Sequence, residues 1–329
     1  AITDDGSCTY CNFGCMDPIA PNYDALATCD DGSCLSPSVY GCTNPNATNY
    51  NANATFNNGS CSFIKTYVPD DNFEIYLEAN GYGDGDFQND SVMTNALATI
   101  GYLDISYKNI ADLTGIEDMY NMYGISAYNN NFHTANFSNN FRLSDIYLND
   151  CDSLSQIILP DSSFYSYGTL YLSFISCNVS SINLPERNIS MIRAQNNPLT
   201  NIDVTNIEGL QDLSLSNTNL TSLDLSNSTA LSSLYLENIN NLVELDLRCG
   251  VSIVNLTNNS ITNNPNLSCI SVSDTALAAT ILTNLDPWTS LSLNCSGNGC
   301  TDSTALNYDN TATNNDGGCT YCVYGCMDP

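Results

Sequence analysis

The chain has 329 residues, 43% of them hydrophobic, which excludes wholesale disorder and leaves room for one long solenoid or two to three compact domains. Its 6 Lys+Arg against 35 Asp+Glu give a net charge of −29, which repels phosphate backbones and anionic membrane surfaces and argues against any nucleic-acid partner. The 16 cysteines, regularly spaced, imply disulfides made in an oxidising compartment and hence an extracellular protein; no run of eighteen apolar residues predicts a membrane span, and no charged segment with an apolar core after Ala1 predicts a signal peptide.

In chain order, residues 1–14 read as the end of a cut cysteine module plus a linker. "CMDPIAPNYDALATCDDGSC" (15–34) then returns as "CTNPNATNYNANATFNNGSC" (42–61) and as "CTDSTALNYDNTATNNDGGC" (300–319), and residues 320–329 read as a linker and the start of a further module. Residues 1–18 also realign with 312–329, twelve positions being identical. Either a longer polypeptide repeats the whole unit or such modules occur in runs with a shared linker; both readings make the chain a fragment of a continuing array.

Twenty residues cannot bury enough apolar surface to fold alone, so the module needs a staple. A loop of this size gains about 3 kcal/mol from closure in the chain-entropy model. Only module 15–34 has an internal Cys29, and it alone among the complete modules follows a "CTYC" linker, which adds Cys11; module 42–61 has Phe56 in place of Cys29. The expected pairs are therefore Cys11–Cys29, Cys15–Cys34, Cys42–Cys61 and Cys300–Cys319, with Cys8, Cys322 and Cys326 left to partners beyond the cuts. Metal ligation by the CxxC pairs Cys8/Cys11 or Cys319/Cys322 is the rival reading. The recurring Asn22-Tyr23, Asn49-Tyr50 and Asn307-Tyr308 predict a tyrosine packed on the bridge as a miniature core, with the Asn turning the chain before it. Asp17, Asp24, Asp30 and Asp31 suggest calcium. Asn44, Asn51, Asn57 and Asn58 in module 42–61, against Asp302, Asp309 and Asp316 in the third, favour an Asx-turn role.

Residues 64–295 read as a solenoid with caps. "YVPDDNFEIYLEANGYG" predicts a short helix with Asp70 or Asp71 as N-cap and Phe73, Ile75, Tyr76 and Leu77 on it. "GDGDFQND" predicts a solvated turn or a calcium loop with Asp84, Asp86 and Asp90 as ligands. From Leu143 the pattern L-x-x-L-x-L-x-N takes over, a leucine-rich repeat with strand centres every ten to thirteen residues. The predicted fold is mainly β: a flattened solenoid with two short strands per coil of roughly twenty-one residues, on opposite walls. Asn196, Asn206, Asn217, Asn227 and Asn238 fall just past strands, where amides can build a ladder. At the far end Cys269–Cys295 is expected to close over a helical turn, with Trp288 covering the last coil. No pairing is assigned to Cys151, Cys177 and Cys249.

The cap "YVPDDNFE", the phrase "NIADLTGIEDM", the repeat "LTSLDLSNSTAL" and the closing "NPNLSCISV", with its later Cys295, resemble leucine-rich-repeat regions of secreted surface proteins of marine Bacteroidetes. "GCTNPNATNYNANATFNNGSC" resembles modules those organisms string into very large extracellular proteins. The resemblance implies fold and location, and that a secretion signal and any C-terminal sorting domain lie outside this chain. It also implies O-glycosylation at Asp followed by Ser/Thr, which selects Ser91, Ser153, Thr275 and Ser303. The many N-x-S/T sequons are weaker, because a chain this rich in Asn, Ser and Thr produces them by accident.

With His133 as the only histidine and no phosphate loop, the sequence offers no convergent catalytic set and is read as non-enzymatic, with no cofactor except possible calcium. On one wall the outward residues include Asp145/Tyr147, Thr169/Tyr171, Met191/Arg193 and Ser233/Tyr235. On the other they are mostly polar and acidic, such as Asn201/Asp203, Ser222/Asp224 and Glu244/Asp246. Tyr147, Tyr171, Met191, Arg193 and Tyr235 are therefore expected to face a neighbouring subunit, a module or a glycan. The functional expectation is a repeating subunit of an extracellular filament or surface array, partnered by copies of itself; the alternative is an adhesin whose wall binds a glycan or protein.

Overall fold

The computed structural model describes residues 10–35, 39–160 and 168–295, apart from 187 and 208, together with 298, 299, 301–305, 308, 314, 315 and 319. The chain divides into two compact units, Ala1–Lys65 and Thr66–Pro329.

In the first unit each module is a minimal parallel ribbon. Phe13–Gly14 pairs with Cys29–Asp30, and Tyr40–Gly41 pairs with Phe56–Asn57. Disulfides join Cys15 to Cys34, Cys11 to Cys29 and Cys42 to Cys61. Where the first module has Cys29, the second packs Phe56 against Tyr40, the rings tilted and their centroids 5.9 Å apart. The buried centre differs from the expected one. Tyr23 and Tyr50 are nearly half exposed, whereas Cys15 and Cys42 are 1% exposed and Ala20 and Ala47 are 6% and 7%. The miniature core is thus a cystine and an alanine, and the tyrosine lies outside it. Nor does the Asn before the tyrosine turn the chain: Asn22 Nδ2 donates to the Ser33 carbonyl at 2.7 Å and its Oδ1 accepts from Leu35 N–H at 2.8 Å, clamping both sides of Cys34. Asn49 grips Ser60 and Ser62 in the same way around Cys61. Glycine precedes Cys15 and Cys42 because a Cβ on Gly14 or Gly41 would sit 3.1 Å from the side chain of Asp24 or Asn51.

The second unit is a leucine-rich-repeat solenoid. Its N-terminal cap is the helix Asp71–Ala79, which buries Phe73 and Leu77 completely. Asp70, not Asp71, is the N-cap: Oδ1 accepts from Phe73 N–H at 3.0 Å, while Oδ2 accepts from Ala111 and Asp112 N–H. One carboxylate therefore satisfies a helix end and ties it to the first coil. Eight parallel strands, from Tyr102–Asp104 to Asn258–Ser260, make the broad wall. The opposite wall is interrupted. Thr134–Asn136 pairs with Gln156–Ile158, a single bridge joins Ser181 to Asn201, and Ser222–Asp224, Glu244–Leu247, Cys269–Val272 and Ser290–Ser292 form a four-stranded sheet. One apolar core runs between the walls.

Two departures from the sequence pattern matter. Coils begin before Leu143, with Leu103 and Ile125 as strand centres in register with Ile146. The strand Leu170–Ser173 is centred on Leu172, not Leu170, because the register shifts between Leu170 and Tyr171; its outward residues are Tyr171 and Ser173, and Thr169 lies outside it.

The turn leaving each broad strand has a fixed grammar. One residue takes the left-handed conformation, among them Asn129, Asp150, Ser176, Asn196, Asn217, Asn238 and Asn263, with φ between 53° and 60°. Asn and Asp tolerate this region best among residues with a side chain. The next residue points inward. Asn130, Asn197 and Asn264 are buried there, each donating through Nδ2 to a carbonyl of the preceding coil (Ile105, Phe174, Leu236) and accepting through Oδ1 from an N–H of that coil (Ile110, Val179, Ile239). Cys151 and Cys177 occupy the same column, their thiols donating to Ala127 and Leu148 carbonyls at 3.2 Å. The interior rung thus sits one residue beyond Asn196, at Asn197, and part of the expected ladder forms outside it: Asn217 Nδ2 donates to Asn196 Oδ1 at 2.8 Å and Asn196 Nδ2 to the Ser176 hydroxyl at 3.1 Å, while the inward positions after Asn217 and Asn238 hold Thr218, bonded within its own coil, and the apolar Ile239. Of the other expected members, Asn227 does reach back, donating to the Thr205 carbonyl at 3.0 Å. Cys151, Cys177 and Cys249 are buried free thiols. At the far end Cys269–Cys295 encloses the helix Thr275–Ile281, and Trp288 is half exposed, its indole N–H donating to the Asn264 carbonyl.

Asn197→Ala strips a buried N–H and two carbonyls of their partner, which costs about 1–3 kcal/mol for each group left unsatisfied; denaturant unfolding is expected to show that loss, while Asn196→Gly, which keeps the left-handed turn, leaves stability within about 0.5 kcal/mol. Burial pushes the Cys177 thiol up to about 12 from an ordinary value near 9, and raises Cys151 for the same reason. Because the folded values are the higher ones, their contribution is complete below pH 9 and disappears as pH rises toward 12. A melting profile should fall across that window, and Cys177→Ser, which cannot ionise there, should flatten the fall.

Candidate functional site

The broad wall presents two outward rows. One reads Tyr102, Gly124, Asp145, Tyr171, Met191, Asp212, Ser233 and Asn258; the other reads Asp104, Ser126, Tyr147, Ser173, Arg193, Ser214, Tyr235 and Ser260. Side chains alternate across a strand, so these residues face away from the leucine core.

Tyrosines concentrate on the first coils. Tyr128 and Tyr147 stack with centroids 6.5 Å apart, Tyr102 and Tyr123 pack at 6.0 Å, and the Tyr102 and Ser126 hydroxyls share a 2.7 Å hydrogen bond. Tyr171 flanks Tyr147 from the neighbouring strand, and Tyr107 stands more exposed at the rim. Partial burial, then the charges of Asp145 and neighbouring phenols, lift the Tyr147 hydroxyl above the usual tyrosine range; burial lifts Tyr128, ahead of its neighbours Tyr102 and Asp104. These phenols stay neutral donors and acceptors at any physiological pH. The result is a rigid aromatic platform with hydroxyls at its edges.

The five residues expected at an interface all lie on this wall, in two groups. Tyr147 and Tyr171 belong to the platform, and Met191 continues it as the half-buried partner of Tyr171. Arg193 and Tyr235 line a separate shallow hollow with Asp212 and Glu237, where Arg193 is held by Asp212 at 2.6 Å. Tyr102, Tyr107, Tyr123 and Tyr128 lie on coils that depart from the leucine pattern, the first pairing Leu103 with Ile105 and the second using Ile125 and Ala127; "YLDIS" and "YGISAYNNN" are the stretches that carry the signal.

The opposite wall's acids have a local duty. Asp203, Asp224 and Asp246 each accept from the backbone N–H two residues on, at Thr205, Ser226 and Arg248, and Asn136 does the same for Ser138. They shape the turn after the strand. The modules repeat the device. Asp17, Asp24, Asp30 and Asp31 accept from Ile19, Leu26, Gly32 and Ser33; Asn44, Asn51, Asn57 and Asn58 accept from Asn46, Asn53, Gly59 and Ser60, all between 2.9 and 3.1 Å. Asp302 accepts from Thr304 in the third module.

The remaining expected sites are dispersed. Asp84 and Asp86 form an Asx turn, Asp84 also taking Asn89, whereas Asp90 gathers with Asp71 and Glu74 instead. Ser91 donates to Asn89 and Asp84 within the cap, so its hydroxyl is already engaged. Ser153 is half-buried in a turn, and Thr275 and Ser303 are exposed, Thr275 opening a helix capped by Asp274. Cys319 is disulfide-bonded, while Cys300, Cys8, Cys322 and Cys326 lie outside the described residues. Among the described residues no helix is long and apolar enough to cross a membrane.

No family model matches the chain, and no curated protein matches its sequence. Among solved structures it is similar to the functional domain of InlJ from Listeria monocytogenes, which includes a cysteine ladder: 20% identity, TM-score 0.40, over 70% of this chain and 48% of that one. It is also similar to the internalins InlF (17%, TM-score 0.39, 69% and 71% coverage) and InlC2 (16%, TM-score 0.35, 70% and 100%) of the same species. The chain spans about half the length of the InlJ structure, and the likeness at these identities concerns the fold.

If the module acids are turn formers, exchanging Asp17, Asp24, Asp30 and Asp31 together for Asn should leave the Cys15–Cys34 and Cys11–Cys29 loops recoverable by unreduced peptide mapping. Protease resistance should match the parent, with and without a chelator.

Proposed function

We propose that this chain is a non-catalytic, extracellular recognition segment of a larger surface protein, in which the broad wall of the solenoid binds a partner and the disulfide modules serve as stapled spacers. The single observation that carries this reading is the tyrosine platform on the first coils. Tyrosine offers a large, stiff contact area with little conformational entropy to lose, and a hydroxyl for orientation. A neutral glycan suits it best: sugar faces pack on phenol rings, and an uncharged ligand meets no repulsion from a chain with net charge −29. The oxidised modules and the resemblance to surface proteins of marine Bacteroidetes support the extracellular placement.

The filament reading stands second. It is favoured by cysteine modules recurring before and after the solenoid, which would let successive blocks join, and it turns the same platform toward another copy. Sugars at Thr275 and Ser303 are compatible with either reading.

Replacing Tyr102, Tyr147 and Tyr171 together by Ser tests both. Thermal unfolding should barely move, since none of the three is buried. Capture on a glycan array should weaken by about tenfold or more, the loss of a cluster of aromatic anchors. Loss of end-to-end or lateral particles in negative-stain images with no change on the array selects the filament reading. Unchanged capture and unchanged assembly would reduce the platform to strand propensity.

A further inference from the structure

The N-terminal cap holds a carboxylate cluster that the solenoid does not use. Asp71, Glu74 and Asp90 each place one carboxylate oxygen within 4.8 Å of the others. Asp71 and Glu74 come from the first turn of the helix Asp71–Ala79, three residues apart and so on one face. Asp90 comes from the loop that returns to the strand Ser91–Met93, where it holds a left-handed φ of 56° and its carbonyl accepts from Val68 N–H.

Glu74 is the anomaly. Its residue is 0% exposed, yet only one of its oxygens is satisfied: Oε1 accepts from Asn89 N–H at 2.9 Å, with Ser91 N–H at 3.4 Å, and Oε2 is buried with no hydrogen-bond partner. A buried carboxylate oxygen without a donor is among the costlier features a fold can carry, and two more carboxylates beside it add repulsion. The helix N-terminus supplies roughly half a positive charge, which offsets only part of three negative ones.

We infer that Asp71, Glu74 and Asp90 form a calcium-binding site that pins the loop 84–91 against the cap helix. Calcium is the cation the donors fit: hard oxygen ligands of high negative charge and a coordination shell loose enough to be completed by water. Asp71 and Asp90 are exposed, so ion and water have access, while Glu74 supplies the dry inner oxygen. The loop is otherwise hung on carboxylates too, Glu78 accepting from Asp84 and Gly85 N–H, so a cation at Glu74 fixes the second of its two attachments. A leucine-rich solenoid frays from its ends, and a metal clip on the cap guards the first coil. The site differs from the one expected from "GDGDFQND", sharing Asp90 alone.

The experiment uses the full chain stripped with a chelator and titrated with calcium chloride, read by calorimetry and by thermal unfolding. The parent should bind and melt higher with calcium. Asp71→Asn combined with Asp90→Asn should weaken binding by about tenfold or more, and should abolish the melting shift. The module variant with Asp17, Asp24, Asp30 and Asp31 changed to Asn should respond as the parent does. Glu74→Gln separates an ion from a proton: a variant that folds, melts at least as high as the chelated parent and ignores calcium supports the site. No calcium response in the parent, or an equal response in the Asp71/Asp90 double variant, would overturn it; the second variant alters exposed residues, so the test stands even if Glu74→Gln does not fold.

Discussion

Where each strand of the broad wall ends, the chain turns and a backbone carbonyl is left facing the apolar interior. The carbonyls of Ile105, Ala127, Leu148, Phe174 and Leu236 are of this kind, and each meets a side-chain donor from the next coil or its own: Asn130, Cys151, Cys177, Asn197 or Asn264. Unpaired, each such group would cost about as much as a buried leucine returns. The ladder therefore ties coil to coil wherever a rung is present, though not at Thr218, which bonds the Leu215 carbonyl of its own coil, or at the apolar Ile239. It also fixes their spacing, because a donor reaches one coil and no further.

That constraint separates the jobs of the surfaces. Leucines and the ladder occupy the inside, and left-handed Asn, Asp and Ser occupy the turn, so the outward tyrosines of the broad wall belong to neither, whereas Asp104 still accepts from Ser106 N–H and Ser173 donates to Asn149. The narrower wall is less free, since Asp203, Asp224 and Asp246 are spent on turns. Tyrosine is unevenly distributed on the broad wall, dense on the first coils and reduced to Tyr235 near Arg193 further on, and the proposed recognition role rests on this distribution. Modules obey the same economy at smaller scale, with Asx residues making most turns and a cystine with one alanine as the core.

Much of this was legible in the sequence. Spacing alone marked the coils from Leu143 to Leu247, the two walls and the closing loops. It misjudged what depends on direction in space. A doubled Asn, as at Asn196-Asn197, reads as two equivalent amides, but one is exposed in a left-handed turn and the other is buried. Tyr23 and Tyr50 look like core because they are the largest side chains of their modules, yet a twenty-residue loop cannot surround a ring and buries Ala20 and Ala47 instead. The second coil stayed hidden because Ile125 and Ala127 fill the leucine positions, and the first because Leu103 is followed by Ile105 in place of a second leucine. Glu74 gave no signal, since its burial depends on Asn89 and Ser91 folding back over the helix.

The ladder can be observed directly by hydrogen exchange in the native protein. The N–H groups of Ile110, Val179 and Ile239 sit in turns, where exchange is ordinarily fast, but each donates to the buried side chain of Asn130, Asn197 or Asn264. They should be protected as strongly as the strand amide of Leu213, opening only with the coil that holds them. Exchange at the rate of exposed turns would mean that the ladder does not close, and that the coils are held by leucine packing alone.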